Sequence, residues 1–388
     1  MTKYSDGYRV RDYGQMVRDA RRFQPWLDAL RRRISPETTV MDIGCGTGIL
    51  SLLACKFGAR KVYAVEPDAS IEIGRSCTSE LGGGNRIEWI QQLSTDITLP
   101  EKVDLVVGDL HGTLPFFTRG IASLADARRR HLKPNGLLLP RADILYAAPA
   151  TAAEERESID VPWRNNPYGL DLSAALPVLV NSWWRALPEP IEKSRLLGNP
   201  KSWGTIDYTD EETRSVSATL EWNALRDASM DGFYVWFDGE VDEGLGFSNS
   251  PLLPELVYGR GFFPLERSIE VTCGDGITVR LAVNRVQDDW VYRWNTSIRD
   301  PSGAVKASFN QSTFKLLPGQ NEALRKSESR YSPKLNYEGQ IQRDVLTMMD
   351  GQTCLADMAS ALYQRYPERF PAPTSALAFV AEVSRAFG

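Results

Sequence analysis

The sequence predicts an α/β domain built on a parallel, doubly wound sheet, followed by an antiparallel β-barrel domain and a small helical C-terminal segment. Three observations predict it. Apolar runs of strand length alternate with helix-like segments over residues 37–146, the order that produces a parallel sheet. From about 147 to 335 the chain turns to short alternating runs rich in Trp, Pro and Gly, as antiparallel strands joined by turns require. From about residue 337 the apolar spacing becomes helical again.

Residues 1–36 read as a helical, Arg-rich lead-in. The candidate strands of the first domain are residues 38–44, 61–66, 86–91, 103–109 and 136–140, and the candidate helices are 50–58 and 121–132. In the second domain residues 215–222, 232–241, 268–274 and 277–286 alternate with period two. Residues 301–320 read as loop. The C-terminal segment 337–388 holds three short amphipathic helices separated by turn residues.

Composition narrows the function. With 388 residues, 42% hydrophobic and 24% charged, the chain is ordinary globular protein, long enough for two or three domains. Five scattered cysteines lack paired spacing, which argues against a disulfide framework or a zinc site and suits a reducing cytoplasm. Two histidines, His111 and His131, exclude a histidine-rich metal centre. A net charge of −5 gives no basic field for nucleic acid. No apolar run is long enough for a membrane span, and the N-terminus lacks a secretory signal.

The strongest chemical signal runs from Val40 to Leu50. An apolar strand leads into Gly44, Gly46 and Gly48 and then into a helix. Glycines tolerate positive φ and let a ligand approach the backbone. The helix that follows offers free N–H groups to an anion. Glu66 ends the next strand, where an acid can hold ribose hydroxyls. The G-x-G-x-G spacing differs from the dinucleotide G-x-G-x-x-G and resembles the S-adenosylmethionine loop of class I methyltransferases.

The resemblance narrows further. Tyr8, Tyr13, Met16, Asp19 and Arg22 precede the loop in a pattern similar to the N-terminal segment of the protein arginine methyltransferases. Residues 44–52, 166–173, 231–237 and 247–251 continue the similarity in order, over about residues 4–300. This resemblance implies that Arg22 grips the methionine carboxylate of S-adenosylmethionine, a fork suited to a carboxylate. It implies a cofactor site of Tyr13, Met16, Arg22, Asp42, Gly44, Cys45, Gly46, Thr47, Gly48, Leu50, Glu66, Pro67, Ser94, Thr95 and Asp109. The product is S-adenosylhomocysteine and no metal takes part. It also implies a homodimer formed through an arm at residues 163–195, which contains Trp183, Trp184 and Leu187.

Two departures bear on the substrate. The family clamps a guanidinium between two glutamates nine residues apart; here Asp109 and Thr118 stand at those positions. The family's Thr-His-Trp loop is replaced by Leu256, Val257 and Tyr258. Removing one partner of a buried charge pair costs roughly 2–5 kcal/mol, so arginine specificity is not expected. The expected substrate residues are Asp109, His111, Thr118 and Tyr258. Asp109 is expected to orient the acceptor, and His111 to accept a proton near neutral pH or to hydrogen-bond the substrate.

Residues 345–362 with 379–383 resemble the small helical peptide-binding domain of the pyrroloquinoline quinone pathway, which recognises leader segments of ribosomal precursor peptides. That resemblance implies a peptide substrate. Three readings follow: a methyltransferase for a peptide or protein side chain, one for a small metabolite or free amino acid, and a cofactor-binding scaffold without turnover.

Overall fold

A computed structural model of the chain describes residues 8–78, 85–210, 212–286, 289–315 and 332–387. The chain divides into two compact units, Met1–Leu316 and Leu317–Gly388.

The first unit opens with helices α1 (Val10–Arg18) and α2 (Ala20–Arg33). Asp19 lies between them and caps α2, accepting from the Arg22 amide at 3.2 Å. On α2, Arg22, Trp26, Ala29 and Leu30 are all buried. Their spacing of three and four places them on one face, which is why the arginine at 22 points inward. Arg31, Arg32 and Arg33 fill the last turn, where the helix carbonyls attract cations.

Strands β1 (Thr39–Ile43), β2 (Lys61–Val65), β3 (Ile87–Ile90), β4 (Val103–Val107) and β5 (Leu132–Leu139) form a parallel sheet in the order β3-β2-β1-β4-β5. Helices α3 (Ile49–Lys56), α4 (Ile71–Cys77) and α5 (Gly120–His131) connect them. Every residue of β1 is buried, as a central strand covered on both faces must be. The strand order reverses between β1 and β4. The loops after these two strands therefore open side by side, at the crevice where sheets of this kind bind ligands.

The change to antiparallel structure, expected near residue 147, comes at 142. Strand β6 (Ala142–Ala150) pairs antiparallel with β10 (Ala228–Asp242) along its whole length. No glycine, proline or asparagine interrupts 142–148, and the lone Asp143 within the apolar run does not break it, so the local pattern does not mark the crossing. With β7 (Trp184–Arg185), β8 (Lys201–Asp207) and β12 (Gly261–Val271), these strands order as β7-β12-β10-β6-β8, and β11 (Leu245–Ser248) pairs with β10. A second sheet runs β15-β14-β13-β9, from β9 (Ser215–Asn223), β13 (Gly276–Val286), β14 (Asp289–Arg299) and β15 (Val305–Ser312). The two sheets share one apolar core. Phe263 meets Trp294 edge to face there, with centroids 5.2 Å apart.

Strand β15 corrects the expectation of a loop over 301–320. Ala307, Phe309 and Gln311 are buried while their neighbours Lys306, Ser308 and Asn310 are exposed. Gln311 earns its place by donating from Nε2 to the Pro264 carbonyl at 2.9 Å. A polar residue on the inward face disguised the alternation. Residues 316–320 lie outside the described residues. Helices α6 (Ala153–Arg164) and α7 (Leu176–Leu179) cover the outer face of the first antiparallel sheet, with Ile159, Leu179, Tyr234, Trp236 and Phe262 in a separate cluster.

The second unit is helical, as expected. Helices α8 (Tyr337–Met348), α9 (Leu355–Arg365) and α10 (Pro373–Phe387) bury Ile341, Val345, Leu362, Phe370 and Val380 among themselves. Asn336 caps α8 by accepting from the Gly339 amide at 2.8 Å.

Because Trp294 is completely buried between the two antiparallel sheets, Trp294→Ala is expected to cost about 3–5 kcal/mol. Urea unfolding followed by circular dichroism measures it, with the midpoint shifted and the slope retained.

Candidate active site

The loop after β1 carries Gly44, Gly46 and Gly48, all with positive φ. Space constrains it as well as conformation. A Cβ on Gly46 would collide with the Tyr13 ring, and one on Gly48 with Trp89. Tyr13 lies over the loop and shares a hydrogen bond of 3.1 Å with Ser70. Beneath it, Asp42 accepts from the Ser51 hydroxyl at 2.6 Å, and burial pushes its carboxyl up to about 7. That bond ties the end of β1 to α3. Cys45 and Leu50 are buried and Thr47 is half-buried. Burial raises the Cys45 thiol well above its ordinary range, so it stays protonated.

Glu66 stands at the end of β2. Its Oε2 accepts from the Gly46 amide at 3.0 Å and its Oε1 from the Asp68 amide at 2.9 Å. Each oxygen keeps a further acceptor site for a hydroxyl. Pro67 and Thr95 are exposed at the following loops. Ser94 is buried, and its carbonyl accepts from Arg130 Nη2 at 2.8 Å.

The crevice is dominated by a buried polar cluster. Asp109, two residues beyond β4, forms an ion pair with Arg22 through Oδ2. Its Oδ1 accepts from His111 Nδ1 at 2.9 Å and from the Tyr258 hydroxyl. His111 Nε2 lies 3.1 and 3.2 Å from the two Asp143 oxygens, and the Tyr208 hydroxyl donates to Asp143 at 2.6 Å. The imidazole stacks on Phe237, centroids 5.3 Å apart. Arg22 also donates from Nη2 to the Met16 carbonyl at 3.0 Å, while its Nε is buried without a hydrogen-bond partner among the described residues.

Neighbouring charges set the protonation states. Burial alone would raise Asp109, but Arg22 and the hydrogen bonds from His111 and Tyr258 hold it down to about 2. Burial alone would lower His111; the Asp143 charge and hydrogen bonds to both carboxylates raise it to about 10. His111 is therefore an imidazolium at neutral pH, donating from both nitrogens. This corrects its expected role as a proton acceptor, because neither nitrogen carries a free lone pair.

Three of the four expected substrate residues come together: Asp109, His111 and Tyr258. Thr118 does not join them. Its side chain is exposed, its φ is 42°, and its carbonyl accepts from Trp290 Nε1 at 3.0 Å. Asp143 on β6 and Tyr208 after β8 belong to the cluster and were missed. The one available signal was an acid within the apolar run 142–150. Asp19 also gains a second role: its Oδ2 accepts from the Val257 amide at 2.7 Å, tying the start of α2 to the loop that carries Tyr258. Among the described residues no group of three or more His, Cys, Asp or Glu side chains is arranged to hold a metal ion. Among them too, no helix is long and apolar enough to cross a membrane.

Residues 24–140 match the ribosomal protein L11 methyltransferase (PrmA) family. The chain is 31% identical over 247 residues to the probable protein arginine N-methyltransferase 6 of Arabidopsis thaliana, covering 61% of this chain and 55% of that protein. It is 28% identical over 260 residues to the protein arginine N-methyltransferase 2 of Xenopus tropicalis, covering 63% and 59%. The chain thus spans somewhat over half the length of these relatives. Among solved structures it is similar to the Trypanosoma brucei PRMT1 enzyme-prozyme heterotetrameric complex with AdoHcy, with TM-score 0.68, 21% identity, and 77% of this chain and 96% of that one covered. It is also similar to Arabidopsis thaliana protein arginine methyltransferase 10, with TM-score 0.67, 22% identity, and 78% and 97% covered. In sequence over somewhat over half their length, and in fold, the chain is similar to the protein arginine N-methyltransferases.

Proposed function

We propose that this chain is an S-adenosylmethionine-dependent methyltransferase that modifies a side-chain nitrogen of a peptide or protein. The observation that carries the reading is the buried, unpartnered Nε of Arg22 beside Asp109, at the crevice shared with the glycine loop and Glu66. A buried guanidinium N–H without an acceptor is costly, and a ligand carboxylate would satisfy it. Glu66 would hold the ribose hydroxyls and Gly44–Gly48 would let the ligand lie against backbone. Tyr13, Met16 and Leu50 would wall the site, with Ser94 and Thr95 at its far edge. Bound there, the cofactor supplies a methyl group already activated by a sulfonium. What remains for the protein is to exclude water and to present the acceptor lone pair in line.

The relatives' names support methylation of protein substrates. The separately folded helices of the second unit support the reading of residues 337–388 as a peptide-recognition element of the leader-binding kind. The arm region 163–195 exposes Tyr168 and Leu170, which supports a homodimer. We place the protein in the cytoplasm on its scattered free cysteines.

Calorimetry with S-adenosylhomocysteine tests the cofactor assignment. Arg22→Ala is expected to weaken binding by about 1.5–3 kcal/mol, the worth of a hydrogen bond to a charged group; wild-type affinity in this variant sinks the assignment. Removal of residues 332–388 is expected to impair methylation of a precursor peptide while leaving that affinity intact. Equal rates with and without the segment would remove its role in peptide recognition, and methylation of a free amino acid but of no peptide would favour a small-metabolite substrate.

The cluster also makes stability depend on pH. The raised pKa of His111 contributes stability that is complete below its unfolded value of about 6.5 and is lost as pH rises through about 10. The depressed pKa of Asp109 acts above about 3.9 and is lost as pH falls toward about 2. The difference in melting temperature between wild type and His111→Gln is therefore expected to be largest near pH 6 and to shrink up to pH ~10.

A further inference from the structure

We infer that His111, Asp143 and Tyr208 form a positioning relay that keeps Asp109 Oδ1 fully occupied, and that the site consequently takes an uncharged nitrogen acceptor, the imidazole of a peptidyl histidine, in preference to a guanidinium. The inference rests on the methyltransferase reading above and specifies its substrate class.

The argument begins with hydrogen-bonding capacity. An ionised carboxylate offers about four lone-pair sites. Asp109 has given three of them to Arg22, His111 and Tyr258. A guanidinium gripped side-on needs a free site on each oxygen, and Oδ1 already accepts two donors. The position nine residues on, Thr118, is neutral and exposed. It provides no second carboxylate beside Asp109.

Charge points the same way. The ionised groups of the cluster balance: Arg22 and His111 are positive, Asp109 and Asp143 negative. The groups facing the imidazole from other elements are Asp143 on β6, the Tyr208 hydroxyl after β8, Tyr258 after β11, and the rings of Phe237 and Phe247. None of them adds a further negative charge. An entering guanidinium would be an uncompensated cation in a buried site.

Proton availability then selects among neutral acceptors. His111 has both nitrogens engaged by carboxylates, and Asp109 accepts three strong donors, one of them the Arg22 cation. Neither can take a proton before the transfer. The acceptor must therefore arrive with a lone pair of its own. At neutral pH an unperturbed lysine is protonated, an arginine is always protonated, and an amide nitrogen has its lone pair delocalised; an imidazole, with a pKa near 6.5, is largely neutral. Its lone pair forms the new N–CH3 bond as the S–CH3 bond breaks and leaves its electron pair on sulfur. The ring is then a cation and loses its remaining N–H proton to water.

The experiment uses the full chain and has two readouts. The first is long-range 1H–15N NMR of the imidazoles with S-adenosylhomocysteine present; the chain has two histidines, so His131→Gln assigns them. His111 is expected to stay doubly protonated to pH ~9, and in Asp143→Asn to titrate at lower pH. The second is intact-mass analysis of one peptide scaffold carrying His, Arg, Lys or Asn at its centre. The His peptide is expected to gain a methyl with kcat/KM at least ~100-fold above the Arg peptide. In His111→Met, which releases one Asp109 site and removes a positive charge, the Arg-to-His ratio is expected to rise ~10-fold. Titration of His111 near pH 6.5, or no methyl on the His peptide, overturns the inference. A guanidinium preference in a protein that binds S-adenosylhomocysteine overturns this inference alone. Failure to bind S-adenosylhomocysteine overturns the methyltransferase reading and this inference with it.

Discussion

The Asp109 carboxylate is the point on which the rest of the structure depends. It stands beyond the end of β4, and the groups that hold it come from three separated parts of the chain: Arg22 on α2, His111 two residues on, and Tyr258 after β11. A carboxylate this deeply buried stays ionised only if its charge is compensated and its lone pairs are filled. Meeting that demand fixes where α2 lies against the parallel sheet and where the antiparallel domain meets both. Asp19 reinforces the arrangement by capping α2 with one oxygen and holding the Val257 amide with the other. Losing either acid would loosen the same junction.

How much of this could be read from the chain depended on whether the signal was local. The glycine loop was legible because strand, positive-φ glycines and helix are consecutive, and Glu66 follows one strand later. Arg22 was legible because it closes a spaced pattern with Tyr8, Tyr13, Met16 and Asp19, and its burial beside Trp26 and Leu30 on one face of α2 agrees with an inward role. The three C-terminal helices follow from apolar periodicity alone. Asp143 and Tyr208 were not legible. They reach His111 only after β6 and β8 pair in the antiparallel sheet, a contact 32 and 97 residues distant in the chain. Strand β15 was hidden for the opposite reason: its inward-facing Gln311 donates from Nε2 to carbonyls far away in sequence.

The Thr118 position shows how a register carried over from relatives can mislead. Counting nine residues from Asp109 points to a partner in the site, yet the segment turns through a positive φ there and directs its carbonyl to Trp290. A threonine gives up little when it is exposed, whereas a second carboxylate would be held inward only by a cation to bind. Without that cation, nothing in the physics keeps position 118 in the crevice.

His111 makes the same argument about chemistry. Taken alone, a histidine near a carboxylate reads as a base, because its unperturbed pKa lies near neutrality. One carboxylate at Nδ1 would still leave Nε2 with a lone pair. The second carboxylate, Asp143, comes from the antiparallel domain and removes it. The protonation state of His111 is thus a property of the docked domains, and with it the charge that any acceptor meets on entering the crevice. A site assembled this way constrains its substrate by the hydrogen-bonding capacity it has already spent, and the Arg22 Nε, a buried donor in the cluster without a partner among the described residues, indicates where an anion is still wanted.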